Sequence, residues 1–283
     1  MFAEYMERYS KKQKRSWQYD EREVNKFLSH WFKKKATSIN KQEVQLLHER
    51  IRDQNGLYQA NRILERISSI YNRAIEWGWQ GTNPAEGVRK FREKSRDRFL
   101  QPDELPRFFA AIEEEENEVA RDYIMLSLLT GARKSNVLAM RWEEISFERT
   151  EWRIPETKNG DPLTVALSGQ AIEILKDRRL KTNTEWVFPS NTSATGHLAD
   201  PKKAWARLLA RAGIKDLRIH DLRRSLGSWQ ACTGASGYII GKSLGQKSQQ
   251  ATQIYARLNL DPVRESVERA TEAMMAAGMR RTV

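Results

Sequence analysis

The tract Glu151-Trp152-Arg153-Ile154-Pro155-Glu156-Thr157-Lys158-Asn159-Gly160-Asp161-Pro162-Leu163-Thr164-Val165-Ala166-Leu167 is where the pattern of this 283-residue chain turns from helical to strand-like. Trp152-Arg153-Ile154 and Leu163 to Leu167 flank an Asn159-Gly160 pair, a combination that predicts an antiparallel hairpin. Almost everything outside it is helical. Upstream, Leu57, Ile63, Leu64, Ile67, Ile70, Tyr71, Ala74 and Ile75 recur at three- and four-residue spacings and mark one long amphipathic helix, stopped by Gly78 and Asn83-Pro84. Ser38 is placed to cap a helix through Glu49, with Val44, Leu46, Leu47 and Ile51 on its apolar side, and residues 16–32 form another. Pro102-Asp103-Glu104 opens helices that run through Leu129. Downstream, helical patterns begin at Ser168 and Asp200 with a short Val187-Phe188 strand between them. The remainder is helical, broken at Gly234, Gly245 and Pro262. The expected fold class is therefore mainly α with a small antiparallel β-sheet (α+β).

Length and charge narrow the function. The chain is long enough for about two domains at the usual 100 to 200 residues each. No run approaches the roughly 18 apolar residues of a membrane span, and no apolar stretch follows the first charges as in a secretory signal. A single cysteine, Cys232, excludes an internal disulfide framework and suggests a reducing, cytoplasmic setting. The net charge is +12. The excess is concentrated at the front: residues 1–98 hold 22 basic and 13 acidic side chains, the rest 27 and 24. Such asymmetry suits a nucleic-acid footprint, with Arg62, Arg89, Lys90, Arg92, Lys94 and Lys134 as the DNA-binding candidates. Residues 87–98 carry six basic and two acidic side chains with almost nothing to bury, and read as an exposed interdomain linker.

Several chemistries lack their residues. His30, His48, His197 and His220 are scattered, with no His-Glu-x-x-His or Cys-x-x-Cys pairing, so a metal site is not expected. There is no Gly-x-x-x-x-Gly-Lys loop for ATP and no Gly-x-Ser-x-Gly elbow. What remains suits phosphate. Thr130-Gly131-Ala132-Arg133-Lys134-Ser135-Asn136 sets a basic pair after a helix-breaking glycine, with Arg133 opening the next helix. Arg218-Ile219-His220-Asp221-Leu222-Arg223-Arg224 puts His220 and Arg223 on one helix face, a proton-handling group beside a bidentate phosphate clamp. Ser243-Leu244-Gly245-Gln246 precedes Ile254-Tyr255-Ala256-Arg257. Taken singly, Arg133 reads as a surface arginine, His220 as a capping or core histidine and Tyr255 as a packing aromatic.

In this order and spacing the segments resemble the tyrosine recombinases, the phage-type integrase family. The resemblance covers nearly the whole chain: a helical core-binding domain at 1–86, a basic linker at 87–98 and a catalytic domain at 99–283 that ends in an exchanged helix, 261–283. It implies a site-specific recombinase that cleaves and rejoins DNA through a 3′-phosphotyrosine, integrating or excising a mobile element without metal, ATP or any other cofactor. Tyr255 would be the nucleophile, with Arg133, Lys158, His220, Arg223 and Gln246 as its catalytic partners. The implied partners are double-stranded DNA attachment sites, three further copies in a tetramer on two duplexes (a monomer when free), and accessory DNA-bending or excision factors, with no membrane. Two positions depart from the family pattern. Gln246 stands where the family usually has His or Trp, and Asn136 where it often has Glu; Asn136 is expected to hold Arg133 by an uncharged hydrogen bond. The pattern starts directly at the core-binding helices, without the small N-terminal domain of many integrases, so the expectation is a shortened chain or a naturally short recombinase. The alternatives are a DNA-binding protein of the same family with weakened catalysis and a type IB topoisomerase.

Overall fold

The computed structural model describes residues 1–157, 160–246 and 261–279, excluding the side chains at 261–263, 266 and 276–279. Lys158 and Tyr255 lie outside the described residues. The chain divides into two compact units, 1–95 and 96–283. Among the described residues no helix is long and apolar enough to cross a membrane.

The first unit is helical. After an opening segment, residues 2–13, with a π turn at Met6–Ser10, come α1 (Trp17–Leu28), α2 (Lys41–Asn55) and α3 (Leu57–Glu76). The stripe on α3 buries Ala60, Ile63, Leu64, Ile67, Ile70, Tyr71 and Ala74 against Val24, Leu28, Trp31, Val44, Leu47 and Ile51. Each large side chain removed from water here is worth about 1.5–3 kcal/mol. Leu46 and Ile75, assigned to apolar stripes by spacing, are exposed. The cap of α2 is Asn40 rather than Ser38: the Asn40 side chain accepts the Glu43 N–H at 2.9 Å, while Ser38 ends a short 3₁₀ turn. Asparagine caps as well as serine, and only Asn40 lies one residue before the first helical turn.

Beneath this core runs a charged network. Asp20, 2% exposed, receives Ser10 Oγ at 2.8 Å, Lys14 Nζ at 2.8 Å and Arg66 Nη2 at 2.6 Å. Arg66 also reaches Glu23 at 3.3 Å, and Gln59 donates to Glu23 at 2.9 Å. These contacts tie the opening segment, α1 and α3 together.

The basic linker is less exposed than its composition suggests. The Asn61 side chain accepts the Phe91 N–H at 3.0 Å and donates to the Phe91 carbonyl at 2.8 Å; the Phe91 ring stacks on His48 at 4.3 Å. Val88 and Phe91 pack on the first core. One aromatic and one valine suffice to dock the segment because a buried asparagine satisfies its backbone.

The second unit contains α4 (Leu105–Glu113), α5 (Glu118–Thr130), α6 (Lys134–Leu138), β1 (Ile145–Ser146), β2 (Glu151–Ile154), β3 (Leu163–Ala166), α7 (Gly169–Lys181), α8 (Lys202–Ala212), α9 (Ile219–Cys232), α10 (Gly237–Ser243) and α11 (Asp261–Met279). The sheet is antiparallel in the order β1-β2-β3. Trp152 and Val165 pair and are buried, whereas Arg153 and Thr164 pair and point out. Because Ile154 pairs with Leu163, the connection spans 155–162 and is longer than a two-residue Asn-Gly turn; Pro155 and Pro162 end both strands early.

One reading is corrected in this unit. Val187 and Phe188 form no strand: they are fully buried plugs, flanked by the single bridges Arg141↔Trp186 and Pro189↔His197. Pro262 lies in the first turn of α11, where no N–H is required, and the residues just before that helix fall outside the described ones.

Candidate active site

Two turns of the second unit meet around one guanidinium. Helix α5 stops at Gly131, whose φ of 58° is left-handed. A Cβ there would come within 2.6 Å of Leu244 and 2.9 Å of Leu226, so a larger residue would strain the left-handed backbone and push those leucine ends aside. Gly245, at φ 61°, is under the same pressure from Leu163 on β3, 2.7 Å from where its Cβ would lie. Arg223, on α9 and 6% exposed, donates from Nη1 to the Gly131 carbonyl at 2.7 Å and from Nη2 to the Leu244 carbonyl. The turn before Arg133 and the turn before Gln246 are thus held by the same side chain.

Arg223 therefore differs from the open bidentate clamp expected of it. Its fork is turned onto two backbone carbonyls because both helices end there with unsatisfied oxygens. Arg133 is the N-cap residue of α6, half-buried, and forms no ion pair or side-chain hydrogen bond among the described residues. His220 is exposed on the first turn of α9. Crowding by surrounding protein lowers its pKa, as do Arg224, Arg223 and Arg133, with Asp221 opposing them. The imidazole is consequently biased toward its neutral, proton-accepting form. Gln246 is half-buried and donates its backbone N–H to the Gly241 carbonyl at 2.8 Å. Lys158 lies outside the described residues; the Gly160 N–H donates to the Thr157 carbonyl at 2.9 Å on either side of it.

Asn136 does not hold Arg133. Its Nδ2 is buried with no hydrogen-bond partner among the described residues, and the contact between the two is backbone only, Asn136 N–H to Arg133 carbonyl at 2.8 Å.

Of the cations singled out for DNA, Lys90 pairs with Glu65 at 2.7 Å, Arg62 pairs with the same carboxylate at 3.1 Å, and Lys134 pairs with Asp200 at 2.7 Å. Arg89, Arg92 and Lys94 are exposed.

Sequence reasoning gave no role to Asp221 or Arg96. Asp221 is fully buried, accepts the Arg218 N–H at 2.9 Å as the third residue after the helix cap, and pairs with Arg96 and Arg224. An acid at that position was visible in the sequence as half of a capping box. Among the described residues no three His, Cys, Asp or Glu side chains cluster as a metal site would need.

The phage integrase family model matches residues 98–261. The chain belongs to the phage integrase family. It is 30% identical over 200 residues to the integrase of Salmonella phage P22, covering 66% of this chain and 50% of that one. It is 38% identical over 165 residues to the shufflon-specific DNA recombinase of Escherichia coli, covering 56% and 40%. The chain thus spans about half the length, or less, of these relatives. Among solved structures, a lambda integrase(75-356) dimer bound to a COC′ core site superposes with a TM-score of 0.70 at 18% identity, covering 87% of this chain and 95% of that one. The Tn1549 transposon integrase (aa 82-397) in complex with circular intermediate DNA gives 0.76 at 14% identity, covering 94% and 97%. At these identities the likeness concerns the fold, which in this integrase-family chain is mostly helical with one three-stranded antiparallel sheet.

Proposed function

We propose that this integrase-family chain is a site-specific DNA strand transferase whose nucleophile is Tyr255. The observation that carries the reading is the Arg223 staple: it joins the turn before Arg133 to the turn before Gln246, from the helix that carries His220 in its first turn. Two guanidinium groups, one of them held on backbone carbonyls, and a neutral imidazole suit a phosphodiester, whose negative charge grows as the nucleophile attacks.

In this reaction the Tyr255 oxygen attacks the scissile phosphorus, the bond from phosphorus to the 5′-oxygen breaks, and a 3′-phosphotyrosine forms. A phenol of pKa near 10 needs help at neutral pH, and His220 accepts its proton or orients the phosphate. Arg133 and Arg223 supply positive charge, Gln246 donates a hydrogen bond to a non-bridging oxygen, and Lys158 protonates the leaving 5′-oxygen. Attack by a 5′-hydroxyl from another duplex reverses the step and joins the strands, so no external energy source enters.

The domain roles follow. Residues 1–86 bind core DNA, 87–98 track the backbone, and 99–283 carry the chemistry on double-stranded attachment sites. The exposed Val267, Ala270, Met274 and Met275 of α11 form a stripe that a second copy would cover. A lambda integrase tetramer has been solved bound to a Holliday junction, at a TM-score of 0.70 to this chain, which supports a tetramer on two duplexes. Accessory bending or excision factors and a site of action at the bacterial nucleoid complete the proposal. A second reading, DNA binding with weakened cleavage, draws on the Asn136 Nδ2, which has no partner among the described residues, and the neutral Gln246.

A nicked suicide duplex separates these readings. The parent chain is expected to form a covalent adduct, and Tyr255→Phe to form none while binding DNA within about twofold of the parent. A persistent adduct would move the nucleophile to another residue, first the exposed Tyr238. No adduct from the parent would favour the second reading.

A further inference from the structure

We propose that Arg96 and Asp221 form a positioning pair that sets the phosphate-facing end of α9. This rests on the reading above, in which His220 and Arg223 act at the scissile phosphate. Arg96 belongs by composition to the basic linker, and by composition it should face DNA. Instead its Nε donates to both Asp221 oxygens, at 3.2 and 3.0 Å, and its Nη2 to Asp221 Oδ2 at 2.8 Å. Its Nη1 lies 2.9 Å from both carboxylate oxygens of Asp216, and Nη2 also donates to the Asp216 main-chain carbonyl.

Those two aspartates bracket the start of α9. Asp216 has a left-handed φ of 50°, an uncommon backbone state for a residue with a side chain, which surrounding contacts must hold in place. Asp221 is 0% exposed and sits between His220 and Arg223 in the chain. A fully buried carboxylate is tolerated only with charged and hydrogen-bonded partners, and it has Arg96, Arg224 at 2.6 Å and the Arg218 N–H at 2.9 Å. The planar guanidinium of Arg96 spans both aspartates at once, so it fixes the turn and the first helical residues as one unit.

The pair has a second consequence. A carboxylate beside Arg223 that lacked Arg96 would compete with phosphate for the Arg223 charge. With Arg96 in place, the Asp221 charge is already satisfied, and the site keeps its attraction for an anion. Arg96 and Asp221 touch no reacting atom; they act through the residues on either side of Asp221.

The test uses the full chain and the nicked suicide duplex, measuring adduct formation at saturating protein, DNA affinity and thermal midpoint for Arg96→Gln, Arg96→Lys and Asp216→Asn. Arg96→Gln is expected to slow adduct formation by roughly 10- to 100-fold, the scale of an ångström-level misplacement, with affinity within about threefold. Arg96→Lys restores charge without the fork and recovers part of the rate. Asp216→Asn removes an exposed partner, leaves the helix cap untouched, and so remains informative if Arg96→Gln does not fold; it should slow the reaction several-fold. An unchanged rate in Arg96→Gln, or in Asp216→Asn when Arg96→Gln does not fold, would overturn the pair. So would a loss of rate matched by equal losses of affinity and midpoint. An adduct formed by Tyr255→Phe would instead overturn the parent reading, so the two failures are distinguishable.

Discussion

Two charged clusters, one in each unit, are built in opposite ways. In the first, Asp20 and Glu23 are buried and every cation that reaches them is matched: Lys14 and Arg66 on Asp20, Arg66 again on Glu23. In the second, Arg133 and His220 have no carboxylate partner among the described residues, and the one acid beside His220 in the chain is already taken by Arg96 and Arg224. Matched charge crosslinks secondary structure and leaves no net field. Positive charge held in place but unmatched keeps its field for a ligand, and a neutral imidazole lowers the cost of assembling it.

The sharpest way to break this contrast is a double dissociation. Arg133→Ala should lower the adduct rate by about 10²–10³-fold, the usual effect of removing one transition-state donor, with little change in stability. Asp20→Ala should leave the rate per folded molecule unchanged but cost about 3 kcal/mol of stability, because it strands cations in a water-poor network. Denaturant unfolding and single-turnover cleavage read the two effects; Asp20→Ala slowing cleavage as strongly as Arg133→Ala would dissolve the distinction.

Gln246 sharpens the same point one step down in size. Gln246→Ala should reduce cleavage by ~10²-fold without changing affinity, and Gln246→His should hold or raise the rate by restoring a donor able to carry charge. If Gln246→Ala cleaves as fast as the parent, the side chain does not touch the phosphate.

A smaller effect should appear with pH. The His220 pKa is lowered, so its proton-accepting form persists below the ordinary value near 6.5, and the acid limb of the second-order cleavage rate should fall below that pH. Crowding by protein and the charges of Arg224, Arg223 and Arg133 push in this direction, and Asp221 pushes back. Arg224→Ala removes one of the lowering charges and should move the limb upward. A limb at or above pH 6.5 in the parent would contradict the neutral imidazole.

The smallest effects concern the surface. Arg92→Ala should reduce the log-log salt slope of DNA binding by about 0.9, the value for one phosphate contact. Lys90→Ala should change it less, because Glu65 already holds that ammonium. Equal slopes for both variants would mean that the ion pair opens freely on binding.

Much of this was readable beforehand. The stripe on α3 needed only its spacing, since a helix rotates apolar residues onto one face at three- and four-residue intervals. The hairpin needed only the change of period, and the residues proposed to meet a phosphate stood in recognisable segments, notably Arg133 after Gly131 and His220 three residues before Arg223. Boundaries were harder. Ser38 and Asn40 are both good caps two residues apart, and Val187-Phe188 looks like a strand because buried plugs and buried strands have the same composition.

By itself the sequence determined the helices, the hairpin and which residue types were available to meet a phosphate, because these depend on neighbours a few positions apart. Only the tertiary structure decided which cations stay available. Arg223 reaches a carbonyl 92 residues away at Gly131 and another 21 residues away at Leu244, and Arg96 reaches Asp221 across 125 residues. Arg92 and Arg96 look alike in the chain, yet one is exposed and the other turned onto two aspartates. A guanidinium's partner is chosen by whichever carboxylate the packing brings within about 3 Å, and no local pattern carries that distance.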